Sequence, residues 1–304
     1  MAIQVGEMFH VIHMYDELGP LDEWYDKIFA VKRSMHGNYS EVEKRDASLA
    51  FIADFCMEPM APSYRVEGAE DMPVGRFHRR FGNRLHSVAW YIDGGFGELF
   101  GKLKDGGVRL FTDGGGAATS ADNLVAAAFT HPRDTGCQWE LMPRREGMSI
   151  GTGAIPGYDE DFWPNEHPLG IVPRAWHITM AVGDLDRGKS RYIDYLDGRL
   201  LHEEENAASQ TRSAFIAVGT TTVIEVATPV NSDSLLAKDL EQNGDIIHSV
   251  TWGVRDVTKA AQFLRANGVG VEERTADTYL MHPDDTFGAV MYVSERRIPG
   301  DTRS

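Results

Sequence analysis

A short histidine-bearing segment occurs twice in this chain, and the repeat restricts how its 304 residues can fold. HSVAW begins at His86 and HSVTW begins at His248, so four of five residues return. Both stretches alternate in a period of two, which predicts a β-strand. In both, apolar residues at helical spacing and then another strand-like stretch follow. The chain is therefore expected to contain a repeated strand–helix–strand unit.

Two other segments form a second repeated pair, each opening with an aromatic residue followed by a histidine. His10 precedes Glu58 by 48 positions, and His177 precedes Glu225 by the same interval (58 − 10 = 225 − 177 = 48). These coincidences predict four βαβββ units in the order A-B-A-B. A single unit is too small to cover its own sheet, so the units should pair into two cupped half-barrel domains of the α+β class.

The segment between the two pairs is rich in glycine and proline and shows little periodicity. It predicts a linker over residues 147–172, part of which packs over a sheet edge. The first domain is then expected to span residues 1–146 and the second residues 173–304.

Composition excludes several classes of function. The net charge of −16 disfavours nucleic acid and anionic membrane surfaces as partners. No apolar stretch is long enough to cross a bilayer, and no signal peptide is evident. Two cysteines provide no disulfide framework. These features predict a cytoplasmic protein that acts on a small molecule.

Histidine and glutamate recur at equivalent positions of the units. The first strand of every unit carries a histidine, and the last strand of three units carries a glutamate. A glutamate in an apolar strand is costly to bury without a partner, and imidazole with carboxylate suits a divalent first-row metal. The alternative is that each histidine is an ordinary core residue. The pairs are His10 with Glu58, His86 with Glu140, His177 with Glu225, and His248 with Tyr292.

This arrangement resembles the vicinal oxygen chelate superfamily, which includes lactoylglutathione lyase, methylmalonyl-CoA epimerase, extradiol dioxygenases and bleomycin-resistance proteins. The stretches THPRDTGCQWEL (130–141) and MHPDDTFGAVMY (281–292) are similar to the family's strand ending. The resemblance implies a divalent ion (Zn, Ni, Co, Mn or Fe) at His10, Glu58, His86 and Glu140. It implies a second, degenerate site at His177, Glu225, His248 and Tyr292, where a tyrosine stands in place of a glutamate.

The sequence leaves the pairing of the units open. If the units are swapped between domains or between the subunits of a homodimer, the complete site would instead contain His86, Glu140, His177 and Glu225. Both arrangements contain His86 and Glu140.

The resemblance implies a lyase, isomerase or epimerase that acts through a metal-stabilised enolate of a small carbonyl or acyl substrate. Glu140 and Glu58 are the candidate proton acceptors, with plain metal ligation as their alternative role. Two other functions stay open. One is an Fe(II) ring-cleaving dioxygenase with His10, His86 and Glu140 as its triad, and the other is a non-catalytic binder.

Trp90 and Trp252 each follow a unit histidine by four residues. Strict alternation would place each indole on the same face as its histidine, where it could line the substrate cavity. Core packing is the more common role for such a tryptophan, and both roles stay open.

Overall fold

The computed structural model describes residues 2–124, 126–145 and 151–303 and contains two eight-stranded sheets. The first sheet has the strand order β2-β3-β4-β1-β5-β8-β7-β6, and the second repeats it as β10-β11-β12-β9-β13-β16-β15-β14. The strands are β1 Gln4–Met14, β2 Lys32–Ser40, β3 Arg45–Ile52, β4 Phe55–Pro62, β5 Arg84–Gly94, β6 Leu110–Phe111, β7 Ala128–Thr130, β8 Gln138–Pro143, β9 His177–Ala181, β10 Arg199–Asn206, β11 Thr211–Val218, β12 Thr222–Pro229, β13 Ile246–Gly253, β14 Val271–Thr275, β15 Thr278–Met281 and β16 Val290–Ser294. The helices are α1 Leu18–Phe29, α2 Pro73–Phe81, α3 Phe96–Asp105, α4 Pro132–Thr135, α5 Phe162–Asn165, α6 Leu185–Ser190, α7 Leu235–Asn243 and α8 Val257–Ala266.

Each sheet joins two βαβββ units through their first strands. β1 is antiparallel to β5 and parallel to β4, while β5 is parallel to β8. The second sheet has the same pairings between β9, β13, β12 and β16. The predicted α+β fold of four paired βαβββ units is confirmed, and within this chain the units pair with their sequence neighbours.

A β-bulge interrupts β5 at the repeated histidine. Val88 pairs with Val11 and Leu85 pairs with His13, so His86 and Ser87 together oppose one residue of β1. A bulge changes which face the following side chains occupy. Strict alternation therefore fails between His86 and Trp90.

Of the two roles left open for the tryptophans, core packing is the one that the structure shows, and the prediction that they line the substrate cavity is wrong. Trp90 and Trp252 are both fully buried in one cluster that draws on both sheets. The Trp90 indole N–H donates to the Thr222 hydroxyl at 3.1 Å, and the Trp252 ring lies 4.8 Å from that of Phe55. Each indole thus crosses from its own sheet to the other one. Large aromatic surfaces buried in this way hold the two halves together.

Part of the predicted linker packs against the protein. Residues 147–150 of that segment lie outside the described residues, whereas 151–172 include helix α5. Trp163 of α5 is fully buried, and its indole N–H donates to the backbone oxygen of Phe29 at 2.7 Å. In the described ranges no helix is long and apolar enough to cross a membrane.

Candidate metal and substrate site

A cluster of ionisable side chains surrounds His10 on the first sheet. Its Nε2 atom lies 3.2 Å from Oε2 of Glu140, with hydrogen-bond geometry, and 3.1 Å from Oε2 of Glu58. The sheet register explains the meeting, because β4 lies directly beside β1 and both His10 and Glu140 are in register with Ala89 of β5. Three of the four predicted first-site residues are therefore in contact.

His86, the fourth predicted residue, lines the same cavity, but its nitrogen has another partner. Its Nδ1 atom lies 2.8 Å from the Ser87 hydroxyl, and Phe77 packs edge-on against the ring at 4.1 Å. Burial, with the nearby His10 and Arg84, lowers the pKa of His86 to about 3. The imidazole is thus neutral, which is the form that binds metal.

Two charged residues of the cluster were missed from the sequence, namely Glu43 and Arg45. Arg45 lies 3.3 Å from Oε1 of Glu58 and 2.9 Å from a carboxylate oxygen of Glu43. The alternation of β3 could have revealed Arg45, because Arg45, Leu49 and Phe51 are separated by even numbers of residues and so share one face of the strand. The latter two side chains belong to a cluster on the same face of the sheet as Phe9 and Ala89.

The cluster attracts positive charge. Burial opposes protonation of His10, but Glu58 and Glu140 outweigh it and raise the pKa of the imidazole. Burial also raises the pKa of Glu43, against the lowering influence of Arg45, and the other two glutamates add to the increase. Both upward pKa shifts are those expected where acidic groups crowd together in a poorly solvated place.

The donor set fits a divalent ion, although the side chains do not form a closed coordination sphere. Within the part of the chain that the structure describes, no three His, Cys, Asp or Glu side chains form a group that could hold a metal ion as they stand. The His10–carboxylate separations are nevertheless close to the distance of about 3 Å between neighbouring ligands of one metal. Three carboxyl groups face one guanidinium in this cluster, so a divalent cation bound there would be surrounded mainly by oxygen donors of acidic side chains.

We call the cavity above this cluster the first cup. Its volume is about 790 Å³, within the range of small-molecule sites. His10, Glu43, Arg45, Glu58, His86 and Glu140 all line it. The remaining wall is largely apolar and includes aromatic residues of β1, α2 and the β6–β7 region, namely Phe9, Phe77, Phe81, Phe111 and Phe129.

The equivalent place on the second sheet, which we call the second cup, is nearly closed. Its cavity of about 30 Å³ is lined by His177, Glu225 and Tyr292, among others. Glu225 accepts hydrogen bonds from the hydroxyls of Ser213 and Thr179, both at 2.6 Å. His177 lies 3.5 Å from the same carboxylate, and the Asn206 amide donates to it at 3.3 Å.

His248 does not line the second cup, so the prediction that it groups with Glu225 is wrong. Its Nδ1 atom lies 2.8 Å from a carboxylate oxygen of Asp239 on α7, and Arg84 of β5 donates to both oxygens of that carboxylate. The cause is again a register shift, which falls between Ile247 and Ser249. The histidine belongs instead to an ion cluster between the two sheets.

Comparison with known proteins bears on the fold and the family. Residues 176–280 match the family model described as the glyoxalase/bleomycin resistance protein/dioxygenase superfamily. A search of curated proteins found no match. Among solved structures, methylmalonyl-CoA epimerase from Mycobacterium tuberculosis is 29% identical over 42% of this chain and 88% of its own, with a TM-score of 0.38. A methylmalonyl-CoA epimerase variant from Streptomyces coelicolor, in complex with 2-nitronate-propionyl-CoA, is 26% identical over 40% and 93%, with a TM-score of 0.37.

A variant of 4-hydroxymandelate synthase from Streptomyces coelicolor shares the whole fold. It is 12% identical, covers 98% of this chain and 95% of its own, and has a TM-score of 0.60. The sequence match lies in the second half of the chain, while the structural match extends over both sheets. The resemblance to the vicinal oxygen chelate superfamily that the histidine and glutamate pattern predicted is thus confirmed for residues 176–280, and the structural match confirms the fold of both sheets.

Proposed function

We propose that this chain is an enzyme that holds one divalent metal ion in the first cup and removes a proton beside a carbonyl group of its substrate. The observation that carries the proposal is the position of the His10 imidazole, within 3.2 Å of both Glu58 and Glu140 at the base of a large cavity. His10, Glu58 and Glu140 would hold the ion, with His86 as the fourth donor. Bound there, it would supply a Lewis acid for two neighbouring substrate oxygens.

Glu140 is the better placed of the two candidate proton acceptors. Its side chain is 13% exposed, against 4% for Glu58. Glu58 is also held by Arg45, whereas the only hydrogen bond to Glu140 in the described chain comes from His10. A base must reach the departing proton, so the freer carboxylate suits that role. Glu58 then serves as a ligand, and the apolar walls exclude water from the reacting centre.

The proposed reaction class is an isomerisation, epimerisation or lyase reaction of a small carbonyl or acyl compound. The first test is elemental analysis of the purified protein, which should find about one divalent ion per chain. The second is solvent-deuterium exchange into candidate carbonyl compounds, which should stop when a chelator is added. Absence of any bound ion, together with indifference to chelators, would remove the basis of the proposal.

A second candidate function is favoured by the contact between Arg45 and Glu58. If that ion pair keeps Glu58 from the metal, His10, His86 and Glu140 remain as two imidazoles and one carboxylate, the ligand set of non-haem Fe(II) oxygenases. Glu58→Gln separates the two functions. The oxygenase should retain iron and oxygen uptake in this variant, whereas the isomerase or lyase should lose metal affinity.

A further inference from the structure

Three arginines line the first cup and have no carboxylate partner among the residues that the structure describes. Arg76 and Arg80 lie on α2 and Arg133 lies on α4, and all three are exposed. Arg76 donates to the backbone oxygen of Asp71, and the Arg80 guanidinium lies 4.9 Å from the centre of the Phe81 ring. Across the described ranges none of the three forms an ion pair. Their positive charges are therefore available to a ligand.

The acidic residues near these arginines do not cancel their charge. Besides the three glutamates of the cluster around His10, Asp113 and Asp245 line the cavity. Asp245 is already bound by the Arg191 guanidinium at 2.7 Å, which leaves Asp113 against three arginines. On a chain of net charge −16, unpaired guanidinium groups in a cavity wall offer anions a favourable place to bind.

The proposed metal ligands and the three arginines lie on different elements of the cavity wall. The proposed metal ligands come from strands β1, β4, β5 and β8, whereas the arginines come from the helices that precede β5 and β8. Apolar side chains, including Met60, Val74 and Phe77, also line the cavity. At about 790 Å³ it has room for much more than two chelating oxygens. A ligand that contacts all three kinds of side chain would have a reacting end, an apolar middle and an anionic end.

We propose that the substrate carries a phosphate group at the end remote from its reacting atoms, and that Arg76, Arg80 and Arg133 bind this group. The proposal deepens the proposed function and rests on it for the position of the reacting end. Guanidinium groups match phosphate in geometry, and three of them suit a multiply charged anion better than a single carboxylate.

The second cup lacks this feature. In α2 the last turn carries His78, Arg79 and Arg80, whereas α7, its counterpart before β13, has no basic residue in its last turn. The acidic Asp239 of α7 faces Arg84 and His248 instead. Unpaired arginines therefore line the first cup, whereas Arg296, which lines the second, forms an ion pair with Glu204.

The test measures binding of phosphate compounds to the full-length protein after treatment with a chelator, so that it does not depend on metal or turnover. Coenzyme A represents a phosphate on a large acyl carrier, and glycerol 3-phosphate represents a simple phosphomonoester. Pantetheine, which has no phosphate, is the control ligand. Wild-type protein should bind at least one phosphate compound, and pantetheine at least about tenfold more weakly. Tighter binding of coenzyme A would identify a carrier-linked substrate, and equal binding a phosphomonoester.

The matched variants are Arg80→Gln with Arg133→Gln, and Arg79→Gln as the control. Arg79 is exposed on the same helix but does not line the cavity. The double variant should weaken binding about tenfold or more, and the control less than about twofold. Failure of both phosphate compounds to bind, equal binding of pantetheine, or an equal effect of Arg79→Gln would overturn the phosphate site. If metal is absent but these differences hold, only the proposed function fails.

Discussion

The two cups of this protein share one strand register but have different contents. In the first, Glu58 is in register with Ile12, two positions after His10, and in the second Glu225 is in register with Thr179, two positions after His177. The first cup encloses about 790 Å³ and the second about 30 Å³. The backbone therefore permits a site in both places, and the side chains determine which one is open.

The difference lies in how the buried glutamates are satisfied. In the second cup, two hydroxyl groups and an amide donate hydrogen bonds to the carboxylate of Glu225. Tyr292 stands there where the first cup has Glu140. In the first cup, two carboxylates share His10, and Arg45 is the cation beside them. A buried carboxylate needs donors or a cation. In the second cup, neighbouring side chains donate hydrogen bonds to the buried carboxylate. In the first cup, a bound cation would satisfy the carboxylates in the proposed site.

The largest expected effect is on turnover and metal content. Glu140→Gln should lower turnover by about 10²–10⁴-fold, since it removes both a ligand and the proposed proton acceptor. Glu225→Gln changes the buried glutamate of the second cup, the counterpart of Glu58, and should leave about one ion per chain and most of the activity. Elemental analysis and deuterium exchange measure both variants. Loss of metal in Glu225→Gln alone would reverse the assignment of the two cups.

The next effect concerns the ion cluster that keeps His248 out of the second cup. Burial disfavours ionisation of Asp239, but His248 and Arg84 hold its pKa well below the usual range. Asp239→Asn leaves Arg84 without its partner and should reduce the free energy of unfolding by about 3 kcal/mol. Denaturant titration measures this loss, with Glu241→Gln, an exposed site on the same helix, as the control. Equal stability of the two variants would show that the cluster does not stabilise the fold.

Acid should destabilise the second cup through Glu225. Burial alone would raise the pKa of this carboxyl, but hydrogen bonds from His177, Ser213 and Thr179 lower it to about 2 from the ordinary 4.5. A lowered folded-state pKa stabilises the fold above pH 4.5, and this contribution is lost as the pH falls from 4.5 to 2. The loss is on the order of 3 kcal/mol. Unfolding measured across this window should show a weaker pH dependence in Glu225→Gln, and an unchanged slope would argue against the hydrogen-bonded carboxylate.

The smallest expected change comes from restoring the missing glutamate. Tyr292→Glu completes the sequence pattern in the second cup, but the cavity is too small and His248 is held by Asp239. Metal content should therefore stay at about one ion per chain. A second ion in this variant would mean that a single carboxylate, rather than the whole set of surrounding donors, separates the cups.

The repeated histidines and glutamates predicted the four units and the two sheets, and the meeting of His10 with Glu58 and Glu140 was one of the two arrangements that they left open. These features follow from register, which a period of two preserves over short distances. The bulge at His86 and Ser87 interrupts this alternation, so counting by twos from His86 placed Trp90 on the wrong face of the strand. Arg45 reaches Glu58 from a neighbouring strand, and Asp239 reaches His248 from a helix. Such contacts depend on tertiary packing that no local pattern records.

The most direct test of the account is anomalous diffraction from crystals of the wild-type protein soaked with Mn²⁺ or Zn²⁺. The account predicts one strong peak in the first cup, within coordination distance of His10, Glu58 and Glu140, and none beside Glu225. A peak beside Glu225, or a first cup that stays empty at saturating metal, would contradict it.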